Sequence, residues 1–236
     1  TEGVATAGCA GGARYNVSLP YERVPAADKA ITLGITGLAG GHSGGDIHKY
    51  RGNAINIAGR MLAALYERNP FCLVTVSGGA KDNAIPINCT AVIAVHDPAE
   101  ATAFLLEQES IVRSELPPED NGFKVRISKP KNVEKTLTFA DTSRVISMLT
   151  LFPRGPQAFS RDMPGLVETS ANLGVVSDDG SEIAAQFLLR SSIESRLDEL
   201  LLYFTRLARF IGLRAEWHSR YPGWRYNPNS ELRAKF

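Results

Sequence analysis

Alternation of apolar and polar positions marks the first strand that the sequence predicts. Ile31, Leu33 and Ile35 alternate with small or polar residues, which is the two-residue period of a strand with one buried face. Three further segments have strand character, two as short apolar runs and one by the same alternation: 71–76, 89–95 and 123–127.

Two helices are predicted between these strands. Ile57, Met61 and Leu65 recur at helical spacing within 53–67. A second apolar stripe runs over 98–116, and its first residue is a proline, which suits a first helical turn. The resulting order, β-α-β-β-α-β, is that of a ferredoxin-like unit, an antiparallel sheet with helices on one face.

The second half of the chain repeats part of this order. Asp141 is predicted to cap a short helix, and a turn rich in Asp and Gly joins two strands into a hairpin over 166–190. The strongest helical pattern begins at Ser195 and ends at Gly212, and a last strand follows over 213–220.

The predicted fold class is therefore α+β, with two tandem ferredoxin-like units. The first unit is placed at 30–129 and the second at 130–221. Each unit is expected to have an antiparallel sheet with helices packed on one face.

Composition and charge narrow the class of protein. Among 236 residues, 26 Lys and Arg balance 25 Asp and Glu for a net charge of +1, which argues against bulk binding of nucleic acid. No apolar run approaches the about 20 residues of a membrane span, and the first residues lack a signal-peptide pattern. Cys9, Cys72 and Cys89 are odd in number and lack metal-binding spacing, which indicates reduced thiols in a cytoplasmic protein.

The densest polar cluster is a glycine-rich loop over 37–48. Its His42, Asp46 and His48 could hold a metal ion, but no other cluster of ligands completes such a site. The loop could equally form a tight turn whose polar residues cap the following helix. In a third interpretation, the glycines form a hinge that exposes His42, so that its side chain contacts a charge that develops on a ligand.

Two other chemistries fit this loop less well. Neither a GxxxxGK[ST] nor a GxGxxG motif occurs, which argues against nucleotide binding. Residues 41–45 match GxSxG, but the predicted antiparallel sheet does not supply the platform of a nucleophile elbow. No covalent nucleophile is therefore predicted.

Three further features are candidates for binding. Asn83 lies in a polar loop and could serve either turn chemistry or a ligand, and Arg190 ends an apolar strand and could pair with a carboxylate. The segment 221–224, Tyr-Pro-Gly-Trp, by itself indicates packing of a rigid turn.

These loops together resemble the aminoacyl-histidine dipeptidases, the Xaa-His or carnosinase-like family of cytoplasmic di-zinc exopeptidases. The resemblance rests on an ordered set of motifs: Gly8-Cys-Ala-Gly-Gly12, Gly37-Leu-Ala-Gly-Gly-His-Ser-Gly-Gly-Asp-Ile-His48, Arg51-Gly-Asn-Ala54, Asn83-Ala-Ile-Pro86, Glu168-Thr-Ser-Ala-Asn-Leu-Gly174 and Tyr221-Pro-Gly-Trp224.

The resemblance implies that this chain is a lid domain without its catalytic domain. Such enzymes hold two zinc ions in a catalytic domain into which the lid is inserted, and none of the zinc ligands nor the glutamate base matches a position here. Residues 30–221 would form the lid, with a leading segment 1–29 and a return segment 222–236 that join the absent catalytic domain. The fragment alone is expected to bind no zinc and to hydrolyse no peptide.

The resemblance also assigns roles to four residues. His42 matches the lid histidine that polarises the scissile carbonyl, and Asn83 matches the asparagine that assists it. Arg190 matches the arginine that binds the dipeptide carboxylate, and Gly223 is a further candidate for that contact. Asp46 and His48 would organise the loop and the start of the following helix.

The expected partners are the dipeptide and the chain's own catalytic domain, and a homodimer through a sheet edge is allowed but not required. The alternative is a free-standing ferredoxin-like module that binds a ligand or oligomerises without catalysis.

Overall fold

The described chain forms one mixed α+β domain with a long antiparallel sheet. A computed structural model describes residues 9–224 together with 227, 229 and 231. Its strands are β1 Gly11–Pro20, β2 Val24–Pro25, β3 Lys29–Thr36, β4 Gly41–His42, β5 Cys72–Gly78, β6 Ala84–Ile85, β7 Cys89–Val95, β8 Lys124–Ile127, β9 Lys135–Thr136, β10 Gly155–Phe159, β11 Val167–Asp178, β12 Glu182–Ser191 and β13 Arg214–Tyr221. Its helices are α1 Ala54–Arg68, α2 Pro98–Glu115, α3 Phe139–Thr150 and α4 Glu194–Ile211.

The main sheet has the strand order β13-β1-β12-β11-β5-β7-β3-β8, with β10 paired to β11. Its first half in sequence, β3-α1-β5-β7-α2-β8, has the predicted β-α-β-β-α-β order. The second half has the same order only when β1 supplies its first strand, as β1-α3-β11-β12-α4-β13. The α+β class and the antiparallel sheet are thus confirmed, and the two units are nested rather than consecutive.

The strand β1 lies inside the sheet and not in a separate leading segment, which corrects the assignment of residues 1–29. It pairs with β12 along its whole length and with β13 on its other side. Ala13, Tyr15, Val17 and Leu19 alternate along it and are almost fully buried. The sequence did not assign this strand to the second unit because more than a hundred residues separate it from α3.

Side-chain caps fix the starts of three helices. The Asn53 side chain accepts hydrogen bonds from the second and third amides of α1, and Asp97 does the same for α2. The start of α3 differs from the prediction, because Thr138 is its cap and accepts from the amide of Asp141. The helix α4 begins at Glu194 without a side-chain cap and ends at Gly212, as predicted for its end.

The helices share one hydrophobic core with the sheet. The helix α1 packs against α3, and α4 packs against β1, β12 and β13. An aromatic cluster fills the second half, where Phe204 contacts Tyr15, Phe152 and Phe187 with ring centroids 4.9–5.3 Å apart. No helix in the described part of the chain is long and apolar enough to cross a membrane.

The two halves meet along a short junction between β5 and β11. Only Gly78 and Val176 are paired there in register. Next to them, Gly79 adopts a φ of +70°, and a Cβ at this position would overlap the carbonyl oxygen of Gly174. The Asn53 side chain also crosses the junction and donates to the Leu173 carbonyl at 2.8 Å. Backbone contact at this junction, the Asn53 bond and the packing of α1 against α3 together join the two halves.

Replacing Gly79 by alanine is expected to destabilise the chain by about 2–5 kcal/mol, combining the cost of positive φ with steric overlap at Gly174. Gly180→Ala is the matched control, since Gly180 has a φ of +93° but nothing within 4 Å of its virtual Cβ. The control is expected to cost about 1–2 kcal/mol. Urea unfolding monitored by circular dichroism measures both variants, and equal losses would contradict a close approach at Gly79.

Candidate functional site

A cavity of about 510 Å³ brings together residues from both halves of the sheet. His42 and Gly44 come from the first half, and Arg190 and Glu168 come from the second. Met163 and Leu166, from the segment that joins β10 to β11, add apolar surface. Two of the four predicted site residues thus line one cavity although about 150 residues separate them.

Backbone pairing and one carboxylate hold the His42 loop in place. The strand β4, which ends at His42, pairs with β6, and the Ser43 amide donates to the Asn83 carbonyl at 2.9 Å. Asp46 accepts a hydrogen bond from the His42 amide at 2.8 Å and another from Lys49 Nζ at 2.7 Å. Asp46 therefore organises the loop as predicted, whereas the cap of α1 is Asn53.

The His42 ring is oriented by two backbone amides. Its Nδ1 accepts from the Gly44 amide at 3.1 Å and from the Gly45 amide at 3.0 Å. Because Nδ1 is an acceptor in both bonds, the proton of the neutral ring lies on Nε2. The residue is exposed, so Nε2 can serve as a hydrogen-bond donor to a ligand.

The charge environment of Asp46 keeps its carboxylate ionised. The hydrogen bond from Lys49, supported by the His42 amide, lowers the pKa of Asp46 from 3.8 to about 2. A carboxyl group with a depressed pKa in the folded state stabilises the fold above its unfolded-state pKa and loses that contribution as the pH falls through the folded value.

Asp46→Asn is expected to lower Tm by an amount that is constant above pH 4 and shrinks as the pH falls from about 4 towards about 2. The reason is that the wild-type carboxylate, whose pKa is lowered from 3.8 to about 2, loses its charge over that window. Differential scanning calorimetry across the acid range measures the difference. Glu107→Gln, at an exposed position of α2, controls for the loss of one carboxylate, and a difference that persists at pH 2 would argue against this role of Asp46.

Arg190 lies on the sheet face opposite the helices. Its neighbour Leu189 is buried in the core, so alternation along β12 turns Arg190 to the other face. Its Nη1 donates to the Tyr221 hydroxyl at 3.0 Å, and its buried Nε has no partner among the described atoms. No described carboxylate lies within ion-pair distance of Arg190, so its charge is available to an anion.

Gly12 permits the bond between Arg190 and Tyr221. Both residues are register partners of Gly12, on opposite sides of β1. A Cβ at position 12 would lie 2.6 Å from the Tyr221 hydroxyl oxygen, so only glycine lets the phenol cross the strand to Arg190. Tyr221 was missed as a functional residue because its motif by itself indicated packing.

The other two predicted site residues are engaged elsewhere. The Asn83 side chain is exposed and borders a second cavity of about 420 Å³ that Arg14 and His218 also line. The Gly223 amide donates to a Glu194 carboxylate oxygen at 3.3 Å. The structure therefore groups His42 with Arg190, and connects Asn83 to them through its carbonyl bond with the Ser43 amide.

The alternative chemistries of the loop find little support in its geometry. The described residues contain no group of three His, Cys, Asp or Glu side chains that could hold a metal ion, and His42 Nδ1 is already bonded to amides. Ser43 is 1% exposed, which keeps its hydroxyl away from a substrate. The three cysteines are free thiols, and burial raises the pKa of Cys89 to about 12.

The structure defines an α+β domain in which one cavity is lined by a histidine from the first half and by an arginine from the second that has no carboxylate partner among the described residues. Residues 33–120 match the family model of the peptidase dimerisation domain of the M20 type. The chain is 34% identical over 235 residues to the cytosol non-specific dipeptidase of Escherichia coli K12. This match covers 98% of the present chain and 48% of the Escherichia coli protein.

A solved structure also matches this chain over nearly its whole length. The crystal structure of aminoacylhistidine dipeptidase from Vibrio alginolyticus matches with a TM-score of 0.92 and 30% identity, covering 97% of this chain and 47% of that one. Over nearly its whole length the chain is therefore similar to part of each of these dipeptidases, and residues 33–120 are similar to the M20-type dimerisation domain. The chain spans about half the length of these relatives.

Proposed function

We propose that this chain is the lid of a metal-dependent dipeptidase that hydrolyses Xaa-His dipeptides such as β-alanyl-histidine. The names of the two relatives support a dipeptidase, and the Vibrio alginolyticus match supports the Xaa-His class. The observation that carries the proposal is the shared cavity of His42 and Arg190, one a neutral donor and the other a cation.

The two residues act on different groups of the dipeptide, the scissile carbonyl and the C-terminal carboxylate. Arg190 binds the C-terminal carboxylate through its guanidinium group, which forms strong charge-assisted hydrogen bonds with such groups. His42 donates its Nε2 proton to the scissile carbonyl oxygen as that oxygen gains negative charge. A donor that is already oriented needs no rearrangement in the transition state, and one such donor contributes about 3–4 kcal/mol.

Asn83 and Gly223 contribute in a smaller way to this proposal. The Asn83 carbonyl holds the Ser43 amide next to His42, and its exposed side chain is free to approach the carbonyl oxygen when the lid closes. The Gly223 amide reaches the substrate carboxylate only if it exchanges its bond with Glu194.

The metal belongs to the proposed catalytic domain and not to this chain. We expect two zinc ions there, which supply Lewis-acid activation when bound. The described residues of this chain do not fit a zinc site, since His42 and Asp46 are held by amides and Lys49. The lid residues therefore act through hydrogen bonds and charge alone.

The proposal has a direct test on the isolated chain. Purified as 236 residues, it is expected to carry no stoichiometric zinc by atomic emission and to leave β-alanyl-histidine intact. Joined to the catalytic domain encoded by its flanking sequence, the same chain is expected to release histidine. Hydrolysis by the isolated chain would contradict the lid role, and flanks without zinc ligands would favour the free-standing module.

Assembly and location follow from the same relatives. The matched family model is a dimerisation domain, which supports a homodimer. The exposed strand β13 and the strand β8 are the free edges of the main sheet and suit edge pairing. The name of the Escherichia coli relative supports a cytoplasmic location.

A further inference from the structure

A third cavity, of about 200 Å³, lies between the start of α1 and the strands β10 and β11. Arg51 and Arg154 line it together with three asparagines, Asn53, Asn56 and Asn172. Its volume is smaller than the about 300–1,000 Å³ of pockets for drug-sized ligands. His42 and Arg190 do not belong to its lining, so it is distinct from the proposed substrate site.

Arg154 is a partly buried cation without a counter-charge. Its Nη1 donates to the Leu149 carbonyl at 3.2 Å, and no described carboxylate lies within 4.0 Å of it. Burial, and secondarily the charge of Arg60, lowers its pKa. A charge withdrawn from water is costly unless a partner of opposite sign accompanies it.

The neighbouring charges do not supply that partner. Arg51 Nη1 is 3.9 Å from Asp46 Oδ1, but the same oxygen is held at 2.7 Å by Lys49 Nζ. Arg60 is already paired with Glu115 through two hydrogen bonds. Of these charged residues only Arg51 and Arg154 line the cavity, so its lining has two cations and no carboxylate.

Two polar atoms of the residues that line the cavity lack a hydrogen-bond partner. They are Arg51 Nε and Asn56 Oδ1, and both are buried. The Arg51 atom is a donor without a described acceptor, whereas Arg51 Nη1 donates to the Gly40 carbonyl at 2.8 Å.

We infer that this cavity binds a small oxyanion, of phosphate or carboxylate chemistry, between the guanidinium groups of Arg51 and Arg154. The planar guanidinium suits the two-oxygen faces of such anions. The site connects the end of the His42 loop to β10 and β11, so an anion there joins the two halves of the domain.

Titration of the 236-residue chain with inorganic phosphate at fixed ionic strength tests the inference. Calorimetry is expected to show a saturable site that depends on Arg154 and is separate from any binding at Arg190, and Tm is expected to rise with phosphate but not with chloride. Arg154→Met is expected to weaken binding by about 10- to 100-fold, the loss of a charged hydrogen bond. A parallel titration with acetate distinguishes the two anion chemistries, and an Arg154-dependent response to either supports the site.

Three variants keep the result interpretable. Asn56→Asp introduces a negative charge at the third residue of α1, which suits a helix start, and is expected to abolish the phosphate response in a folded protein. Arg206→Met, at an exposed position of α4, is expected to leave binding unchanged. Arg190→Met is also expected to leave it unchanged.

The inference is overturned if phosphate acts like chloride, or if Arg154→Met and Asn56→Asp bind it as tightly as the wild type. It is overturned equally if Arg190→Met alone abolishes binding, because the anion then occupies the proposed substrate site. These measurements do not depend on peptide hydrolysis. A negative result for phosphate binding therefore does not contradict the proposed lid function, and a negative result for hydrolysis does not contradict the anion site.

Discussion

His42→Ala, made in the protein that joins this chain to its catalytic domain, is expected to lower kcat by about 100- to 1,000-fold. Under the proposed function, the variant loses Nε2 of His42, the oriented donor to the developing oxyanion. KM is expected to change little, since an interaction made only in the transition state contributes nothing to ground-state binding. Steady-state hydrolysis of β-alanyl-histidine measures both constants.

The matched control for this prediction is His96→Ala. His96 is a histidine of the same half with a side chain that is 96% exposed, and it lies outside the cavity. The control is expected to retain wild-type kcat, and both variants are expected to retain the wild-type metal content. An unchanged kcat in His42→Ala would remove His42 from the mechanism.

Arg190→Met in the same protein is expected to lower kcat/KM by about 10- to 100-fold, chiefly through KM. The reason is that the variant loses a charge-assisted hydrogen bond to the substrate carboxylate, which contributes about 1.5–3 kcal/mol. The dipeptide amide, which lacks the carboxylate charge, provides the specific readout. The wild type is expected to discriminate strongly against the amide, and Arg190→Met is expected to hydrolyse both substrates with similar efficiency.

Arg126→Met controls for the loss of one positive charge. Arg126 is exposed on the edge strand β8 and lies outside the cavity of Arg190. This variant is expected to discriminate against the amide as the wild type does. If Arg190→Met still discriminated, another group would have to bind the carboxylate, and the Gly223 amide would be the first to examine.

Local pattern was enough to predict most of the elements. The alternation of Ile31, Leu33 and Ile35 predicted β3, and the turn between β11 and β12 predicted their hairpin, because both signals depend on neighbouring residues. The same reasoning missed β10, a short strand over Gly155–Phe159 that includes a proline and alternates weakly. It also could not show that β1 completes the second unit, since pairing between distant strands leaves no local signal.

The site was predictable only in part for the same reason. The glycine-rich context singled out His42, but the amides that fix its ring depend on the folded path of the loop. Arg190 was identified by its place at a strand end and by resemblance. Its bond to Tyr221 depends on three adjacent strands with Gly12 in the middle one, and this arrangement is visible only in three dimensions.

The narrow junction at Gly78 and Val176 lies between the two residues to which the proposed function assigns the substrate. His42 is carried by one side of this junction and Arg190 by the other. A small rotation about it would change the span between the imidazole and the guanidinium. Under the proposed function, substitutions at the junction are therefore expected to alter selectivity for dipeptides over longer chains without touching the bound molecule.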